Sequence, residues 1–513
     1  MTESHTKSSL IHSTFSGLSS QYAAAIINGV GQLVVTGVLA RLLTPKDYGL
    51  VGLALVYTGL ASLLSQFGLG VAIVRRPELT PRYVRAGFTV SVGLGLLWTV
   101  VVYLTAPLVA AWFENVELVP YIRALSLLFV LTSPGFIADA LSQRHLAWRR
   151  LMWVDVGAFV GGNAIPAIVL ALLGYGAWAL VWSQLGQALV RSVLLLRAQP
   201  HPKAFRLGPE IRDLLRFGSG LTLARIFNYL AFQGDNLVVG RVLGVVPLGF
   251  YSRAFKLMMF PVTYFAVIVT KVLFPVMARL QGTPDKLRQA YYTGSAVIAL
   301  VSAPLGALMV IVAPEIVQIL LGPKWTPAVI PFQILTCGIM MRNAYLMAYC
   351  LDGALGEMRK RTIRDGIYAA GVVLGSLVGT RFGLTGVATG VLLAIVANYV
   401  VAAGMSLRMI QGSWSSYLRS QTGGIVLGLL AATVAIATRL GLRAMEVGAV
   451  GVLLTTTLVT AGMVGLVIML QPDVVGEYGR HALRLAATAL SAKLQPRGAG
   501  RLQLLSRGLA RWH

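Results

Sequence analysis

The stretch RLLTPKDYGLVGLAL (residues 41–55) is echoed 200 positions later by RVLGVVPLGFYSRAF (residues 241–255), with Arg41 matched by Arg241, Leu43 by Leu243 and Gly49 by Gly249. Each copy lies where one long apolar run gives way to the next, so each reads as the hairpin joining the first and second spans of a six-span unit. A second echo, near offset 209, sets GYGAWAL from Gly174 against GLTGVAT from Gly383. Six is even, so two such units enter a bilayer in the same direction and are related by an axis along the membrane normal. Two parallel lobes with a cleft between them follow, an architecture suited to alternating access.

Composition supports the same class. Of 513 residues, 56% are hydrophobic and 12% charged, whereas a water-facing surface needs charge on about a quarter of positions. An ordinary soluble enzyme is excluded, and an all-α integral membrane protein remains. One helical crossing takes about 20 apolar residues. Runs bounded by charge, Pro and Gly number 14: residues 16–41, 48–74, 84–106, 119–143, 152–173, 175–196, 217–241, 247–276, 290–313, 328–351, 365–380, 383–407, 421–438 and 447–470. The expected organisation is an N-terminal tail (1–15), an N-lobe of six spans (16–200), a linker (201–216), a C-lobe of six spans (217–407), two added spans within 421–470 and a basic tail (471–513). The first run is not a cleavable signal by this reading, because the residues before it are polar with little positive charge.

The net charge of +25, from 43 Lys and Arg against 18 Asp and Glu, on a soluble chain would suggest nucleic acid. On a polytopic chain it reads as topology. With the N-terminus in the cytoplasm, about 29 basic residues fall in inner loops and tails and about seven outside, the positive-inside bias. Both termini are then cytoplasmic, the basic loops meet anionic membrane lipid, and nucleic acid is not a partner. Val475, Tyr478, Ala482 and Leu485 recur at helical spacing, so the tail reads either as an interfacial helix or as a solvated segment. Cys337 and Cys350 have no metal-ligand spacing, and the six histidines fall in tails or loops; no metal site, catalytic residue or resident cofactor is expected. The sequence contains no GxxxxGK[ST] loop and no loop with room for a nucleotide-binding domain. Energy must then come from a gradient.

Ionised side chains within spans cost several kcal/mol unless they face water or a partner. Asp235 lies six residues before the hairpin that starts at Arg241, and Arg253 six after it ends at Pro247, so in an antiparallel pair both sit roughly 9 Å below the end. An Asp235–Arg253 pair is expected, with Lys256 a turn deeper and Arg225 and Arg342 deeper still. The four cations, Arg225, Arg253, Lys256 and Arg342, are the candidate substrate-binding set, and Asp235 the pairing or coupling candidate. Their first-lobe counterparts Val35, Leu53 and Val56 are apolar, so the charges belong to one lobe rather than to the repeat. Snorkelling of Arg253 and Lys256 to headgroups is the competing reading. Pro261, halfway along its span, is a candidate hinge. Arg191 and Lys271 read as snorkelling cations, Asp139 and Asp155 as local partners of Arg144, Arg149 and Arg150. Tyr229, Tyr251, Tyr264 and Tyr345 are available to stack on sugar rings or to fill packing gaps. Gly371, Gly375 and Gly379, like Gly157 and Gly161, read as small-residue packing stripes.

Four segments carry a resemblance: LARLLTPKDYGLVGLA from Leu39, QGDNLVVGRVLGVVPLGFYSRAFKLM from Gln233, VLFPVMARLQG from Val272 and APEIVQILLGPKW from Ala313. In this order they resemble the polysaccharide flippases of the multidrug/oligosaccharidyl-lipid/polysaccharide exporter superfamily, in particular its exopolysaccharide exporter branch. The resemblance runs from about Ser16 to about Ser406. It implies two six-helix lobes and passage of an undecaprenyl-pyrophosphate-linked oligosaccharide between the leaflets of a bacterial inner membrane. It also implies coupling to a proton or sodium gradient and work beside a polysaccharide polymerase and chain-length or export machinery. A peptidoglycan-precursor flippase and a small-molecule exporter of the same superfamily are the alternatives. A membrane glycosyltransferase or polymerase is disfavoured, because the outer loops lack room for paired carboxylates.

Overall fold

A computed structural model describes residues 29–66, 68–76, 78–206 and 208–484, and within helices the side chains of 66, 215–224 and 268 lie outside that description. The expected tail 1–15, the first part of the run 16–41 and the basic end after residue 484 lie outside the described residues. The rest is helical, with no strand among the described residues. In order the helices are α1 (Gly29–Leu42), α2 (Pro45–Gln66), α3 (Leu69–Arg75), α4 (Pro81–Trp112), α5 (Leu118–Arg144), α6 (Trp148–Gly157), α7 (Ile165–Leu172), α8 (Ala177–Ala198), α9 (Glu210–Val238) and α10 (Val245–Arg279). They continue with α11 (Pro284–Ile311), α12 (Ala313–Leu320), α13 (Val329–Cys337), α14 (Ile339–Leu355), α15 (Met358–Gly379), α16 (Gly383–Met409), α17 (Trp414–Ala444) and α18 (Ala449–Leu470).

Local chemistry sets several boundaries. Pro81 occupies the first turn of α4, where its missing N–H costs nothing. Ser413 caps α17 by accepting from the Ser416 N–H at 3.2 Å. The run 48–74 is broken at Gly68, whose φ of 65° no continuing helix can hold. The run 328–351 is two helices, α13 and α14, bent by 44° after Cys337. A π-helical stretch, Ala158–Ala164, joins α6 to α7. The linker expected over 201–216 ends early because α9 already starts at Glu210.

Ten stretches among the described residues are long and apolar enough to cross a membrane, or 11 with the bent pair. That is short of the expected 14. One of the ten, Met358–Met409, is 52 residues long, about 78 Å as a straight helix against a hydrocarbon core of about 30 Å. It is therefore a hairpin of α15 and α16, turned at Gly383 with φ 65°. Of the first expected run only Gly29–Leu42, α1, is described, and α9 is not among the ten stretches.

The chain divides into two compact units. The first holds the chain up to Arg253 together with Leu320–Trp325. Within it the two copies of the sequence repeat touch: a Cβ on Gly49 would lie 1.9 Å from the Val245 carbonyl oxygen, and one on Gly249 would lie 2.0 Å from that of Pro45. The two matched hairpins cross with reciprocal glycines against each other's first turn. Around them Trp325 Nε1 donates to the Ala40 carbonyl at 2.8 Å and Lys324 to that of Arg41 at 2.9 Å. Arg241 pairs with Glu114 at 2.8 Å and Lys46 with Glu117 at 2.8 Å.

The second unit holds Ala254–Ile319 and the chain from Thr326. In α15 and α16, Gly375 lies against Gly390 and Gly379 against Gly386 with no space for a Cβ on any of them. The expected stripe Gly157/Gly161 is corrected: a Cβ on Gly161 would meet nothing within 4 Å, and the close approach is made one residue on, where Gly162 abuts Gly186 on α8. The added helix α17 packs along α11, with Gly424 on the Ala299 backbone. At one end it is held by the buried Glu315, which accepts from Arg439 Nε at 2.9 Å and from Arg443 at 2.7 Å. Residues 476–484 are helical, and Val475 just before them is buried, its carbonyl against Gly423 of α17.

Candidate functional site

Within the first unit lies a cavity of about 540 Å³. Helical spacing builds its walls. On α5, Leu128, Thr132, Phe136, Asp139 and Gln143 recur three or four residues apart and form one stripe; on α2, Thr58, Ser62 and Ser65 do the same. α4 adds Ser91 and Gly95, α8 Arg191 and α9 Arg225. The hydroxyls are spent as donors on backbone: Thr58 on the Ala54 carbonyl at 2.9 Å, Ser65 on Ser62 at 2.9 Å, Thr132 on Leu128 at 2.7 Å and Ser91 on Ser133 at 2.8 Å. Each of these oxygens keeps acceptor capacity. Such a wall accepts hydrogen bonds from a hydroxyl-rich ligand, while Arg225 supplies cationic donors.

Arg191 reaches inward rather than snorkelling, which corrects the expectation. Its Nε donates to Asp155 at 2.9 Å and its NH2 to Asp139 at 3.2 Å, and Gln143 donates to the other Asp139 oxygen at 3.4 Å. The two aspartates are therefore partners of Arg191, not of Arg144, Arg149 and Arg150. Arg144 instead donates to the Ile73 carbonyl at 2.9 Å and also to that of Arg76, closing the C-terminal end of α3. Arg150 closes α8 through the Ala198 carbonyl at 2.7 Å.

The residues singled out in the sequence fall in both units. Asp235, 1% exposed, accepts from the Tyr251 hydroxyl at 2.7 Å and the Asn236 N–H at 2.8 Å. The expected Asp235–Arg253 ion pair is not formed among the described residues; the Arg253 guanidinium lies 4.4 Å from the centre of the Tyr48 ring. The reason is azimuthal. Two residues along a helix turn a side chain by about 200°, so when Tyr251 faces Asp235, Arg253 faces α2. Lys256 is exposed on α10. Arg342 is buried on α14, its guanidinium 5.2 Å from the Phe255 ring centre. Pro261 sits inside the unbroken 35-residue α10. Tyr229 is tied to the Val56 carbonyl at 2.6 Å and Tyr345 to Asp365 at 2.8 Å, and Tyr264 packs on Phe260 at 4.8 Å between ring centres.

Two groups escaped the sequence reading. One is the hydroxyl stripe of α2 and α5, legible in principle as Ser and Thr recurring three and four apart. The other is a buried ionic cluster in the second unit. Arg364 and Asp352, each 1% exposed, pair at 2.8 Å, and Asp365 takes the Tyr345 hydroxyl. Arg364 stands one residue before the apolar run 365–380, yet it lies on the first turns of α15. Among the described residues no group of three or more His, Cys, Asp or Glu is placed to hold a metal ion.

Helices of this number and length, a repeat expressed as a reciprocal crossing, and a polar cavity among apolar spans define a multi-pass membrane protein of the transporter class. Residues 38–330, more than half of the chain, match the family described as polysaccharide biosynthesis protein, and the chain belongs to that family. It is 28% identical over 424 residues to the lipopolysaccharide biosynthesis protein WzxC of Escherichia coli (strain K12), covering 79% of this chain and 83% of that one. It is 26% identical over 357 residues to the succinoglycan biosynthesis transport protein ExoT of Rhizobium meliloti (strain 1021), covering 68% and 72%. Among solved structures, the lipid II flippase MurJ aligns with a TM-score of 0.70 at 12% identity over 88% of this chain and 99% of that one. An inward-facing multidrug MATE transporter of the MOP superfamily aligns at 0.61 with 18% identity, over 75% and 94%. At these identities the structures show a shared fold. ExoT is named a transport protein and the two structural neighbours a flippase and a transporter, and the chain is a transporter rather than an enzyme.

Proposed function

We propose that this protein passes a lipid-linked oligosaccharide, an undecaprenyl-pyrophosphate repeat unit, from the inner to the outer leaflet of a bacterial inner membrane during surface polysaccharide assembly. The observation that carries the reading, beside membership of the family, is the cavity of about 540 Å³ with acceptor oxygens from α2, α4 and α5 and the cation of Arg225. An unpaired anion in hydrocarbon costs tens of kcal/mol, and sugar hydroxyls left without partners add a further penalty each. A headgroup crosses only where both are replaced. Hydroxyl oxygens and backbone receive the sugar donors and Arg225 the phosphate or an acidic sugar; Arg253, Lys256 and Arg342, which do not line this cavity, are further candidate cations for the headgroup. Asp235 is the candidate for carrying a coupling ion, Pro261 gives α10 a place to bend, and a proton or sodium gradient supplies the energy. Both termini face the cytoplasm, and a polysaccharide polymerase with its chain-length machinery takes the product.

The test is deletion followed by lipid extraction and complementation. Cells lacking the protein are expected to accumulate lipid-linked repeat units on the inner leaflet, and the intact chain is expected to clear them. Arg225→Ala, at normal membrane abundance, is expected to reduce surface polysaccharide at least about tenfold, the equivalent of one lost charge-assisted contact to phosphate. Full export by the Arg225, Arg253, Lys256 and Arg342 alanine variants removes the cationic assignment. No accumulated repeat unit in the deletion removes the flippase reading.

A further inference from the structure

A second cavity, of about 550 Å³, lies wholly within the second unit, between α10, α11 and the helical turns around His481. Its α10 wall is Phe265, Val269, Val272 and Val276, spaced to share one helix face. From Phe265 to Val276 the wall runs roughly 16 Å along the helix, close to half of the bilayer's hydrocarbon thickness of about 30 Å. The groove is therefore one leaflet deep. At its end, where α10 turns into α11, Gln289 and His481 are shared with a smaller cup of about 260 Å³ that also holds Glu477, Arg480 and Arg484. Lys286 stands on the rim of the groove. Of the nearby carboxylates, Asp285 is engaged by Arg288 and Asp473 by Arg480, and the lining of the cup sets Arg480, Arg484 and His481 beside the single carboxylate Glu477.

An apolar channel one leaflet deep that opens into a cationic cup has the two-part chemistry of an anionic lipid. We propose that this site holds one anionic phospholipid of the surrounding membrane, an acyl chain lying along α10 and its phosphate in the cup. Bound there, the lipid bridges α10 and α11 to residues 476–484 and docks the start of the basic tail. The proposal needs only that the chain spans a membrane, so it stands or falls separately from the transported substrate.

The experiment uses the full chain, purified in detergent and stripped of lipid, with phosphatidylglycerol or phosphatidylcholine added back and retained lipid counted by native mass spectrometry. Retention of phosphatidylglycerol is expected to exceed that of phosphatidylcholine about tenfold, and Lys286→Glu with Arg484→Glu is expected to bring the ratio to about one. Val272→Trp, which fills the channel and leaves the cup, is expected to reduce retention of both lipids; Val276→Trp replaces it if that variant elutes aggregated. Equal retention of the two lipids by the unaltered protein overturns the proposal, as does a preference that survives both the charge and the channel variants. Displacement of phosphatidylglycerol by an equimolar polyprenyl phosphate also overturns it, because the site then belongs to the carrier lipid.

Discussion

At the scale of single residues, the decisive contacts are made by what glycine lacks. With 1.9 Å between the Cβ position on Gly49 and the Val245 oxygen, and 2.0 Å between that on Gly249 and Pro45, neither backbone can yield without separating the two hairpins. Gly49→Val and Gly249→Val are each expected to destabilise by about 3 kcal/mol or more, and by similar amounts because the contacts are reciprocal. Thermal unfolding of the detergent-solubilised protein measures this, with Gly161→Ala, whose Cβ would meet nothing within 4 Å, as a control expected to stay within about 1 kcal/mol of the parent. A control as damaging as Gly49→Val would mean that the effect is general to helical glycines here. Polar residues follow the same logic of placement. Arg191 between Asp139 and Asp155 and the Tyr251 hydroxyl on Asp235 show intramembrane charges answered by specific partners, as the cost of leaving them bare requires.

At the scale of elements, helices in lipid are joined by close backbone approach and by buried polar contacts rather than by apolar burial against water. The hairpin of α15 and α16 uses the first device; the attachment of α17 uses both. Glu315 is 1% exposed, whereas the side chains of Arg439 and Arg443 are 21% and 51% exposed. The asymmetry has a consequence for mutants. Removing both arginines strands a buried carboxylate and is expected to cost about 3–5 kcal/mol, whereas Glu315→Ala leaves cations that can reach water and is expected to cost about half as much. Hydrogen exchange over Trp414–Ala444 should rise in both, and more in the Arg439→Ala, Arg443→Ala double variant; the opposite order would show that α17 is held by Gly424 and its neighbours alone.

At the scale of the whole molecule, loop charge is expected to set the direction in the membrane. In a background with Cys337 and Cys350 replaced by serine, single cysteines at Glu114 and Lys324 are expected to react with an impermeant reagent added outside cells. Those at Arg76 and Lys360 are expected to react only after permeabilisation. The reverse pattern inverts the topology and with it the direction proposed for transport. In the structure Glu114 and Lys324 both belong to the clasp around the repeated hairpins, so an unreactive pair in otherwise folded protein would report that clasp closed, and Glu117, half exposed beside Lys46, would serve as the outer probe.

Membrane insertion, the approximate spans, the repeat and the family were legible in the chain alone, because each depends on quantities that add along it: apolar length, loop charge and residue identity at matched positions. The matching of Gly49 to Gly249 even marked the place where the hairpins meet. Partners were not legible. A helix turns about 100° per residue, so placing Asp235 and Arg253 at similar depth left open which way each pointed, and Tyr251 rather than Arg253 turned out to face the carboxylate. The same uncertainty put Arg191 at the headgroups instead of between two aspartates, put the tight glycine at 161 instead of 162, and hid the α2 and α5 hydroxyls that share a wall only once those helices pack. Depth and class are sums over sequence, whereas a site is a set of directions, and directions are set only when neighbouring helices lock one another's rotation.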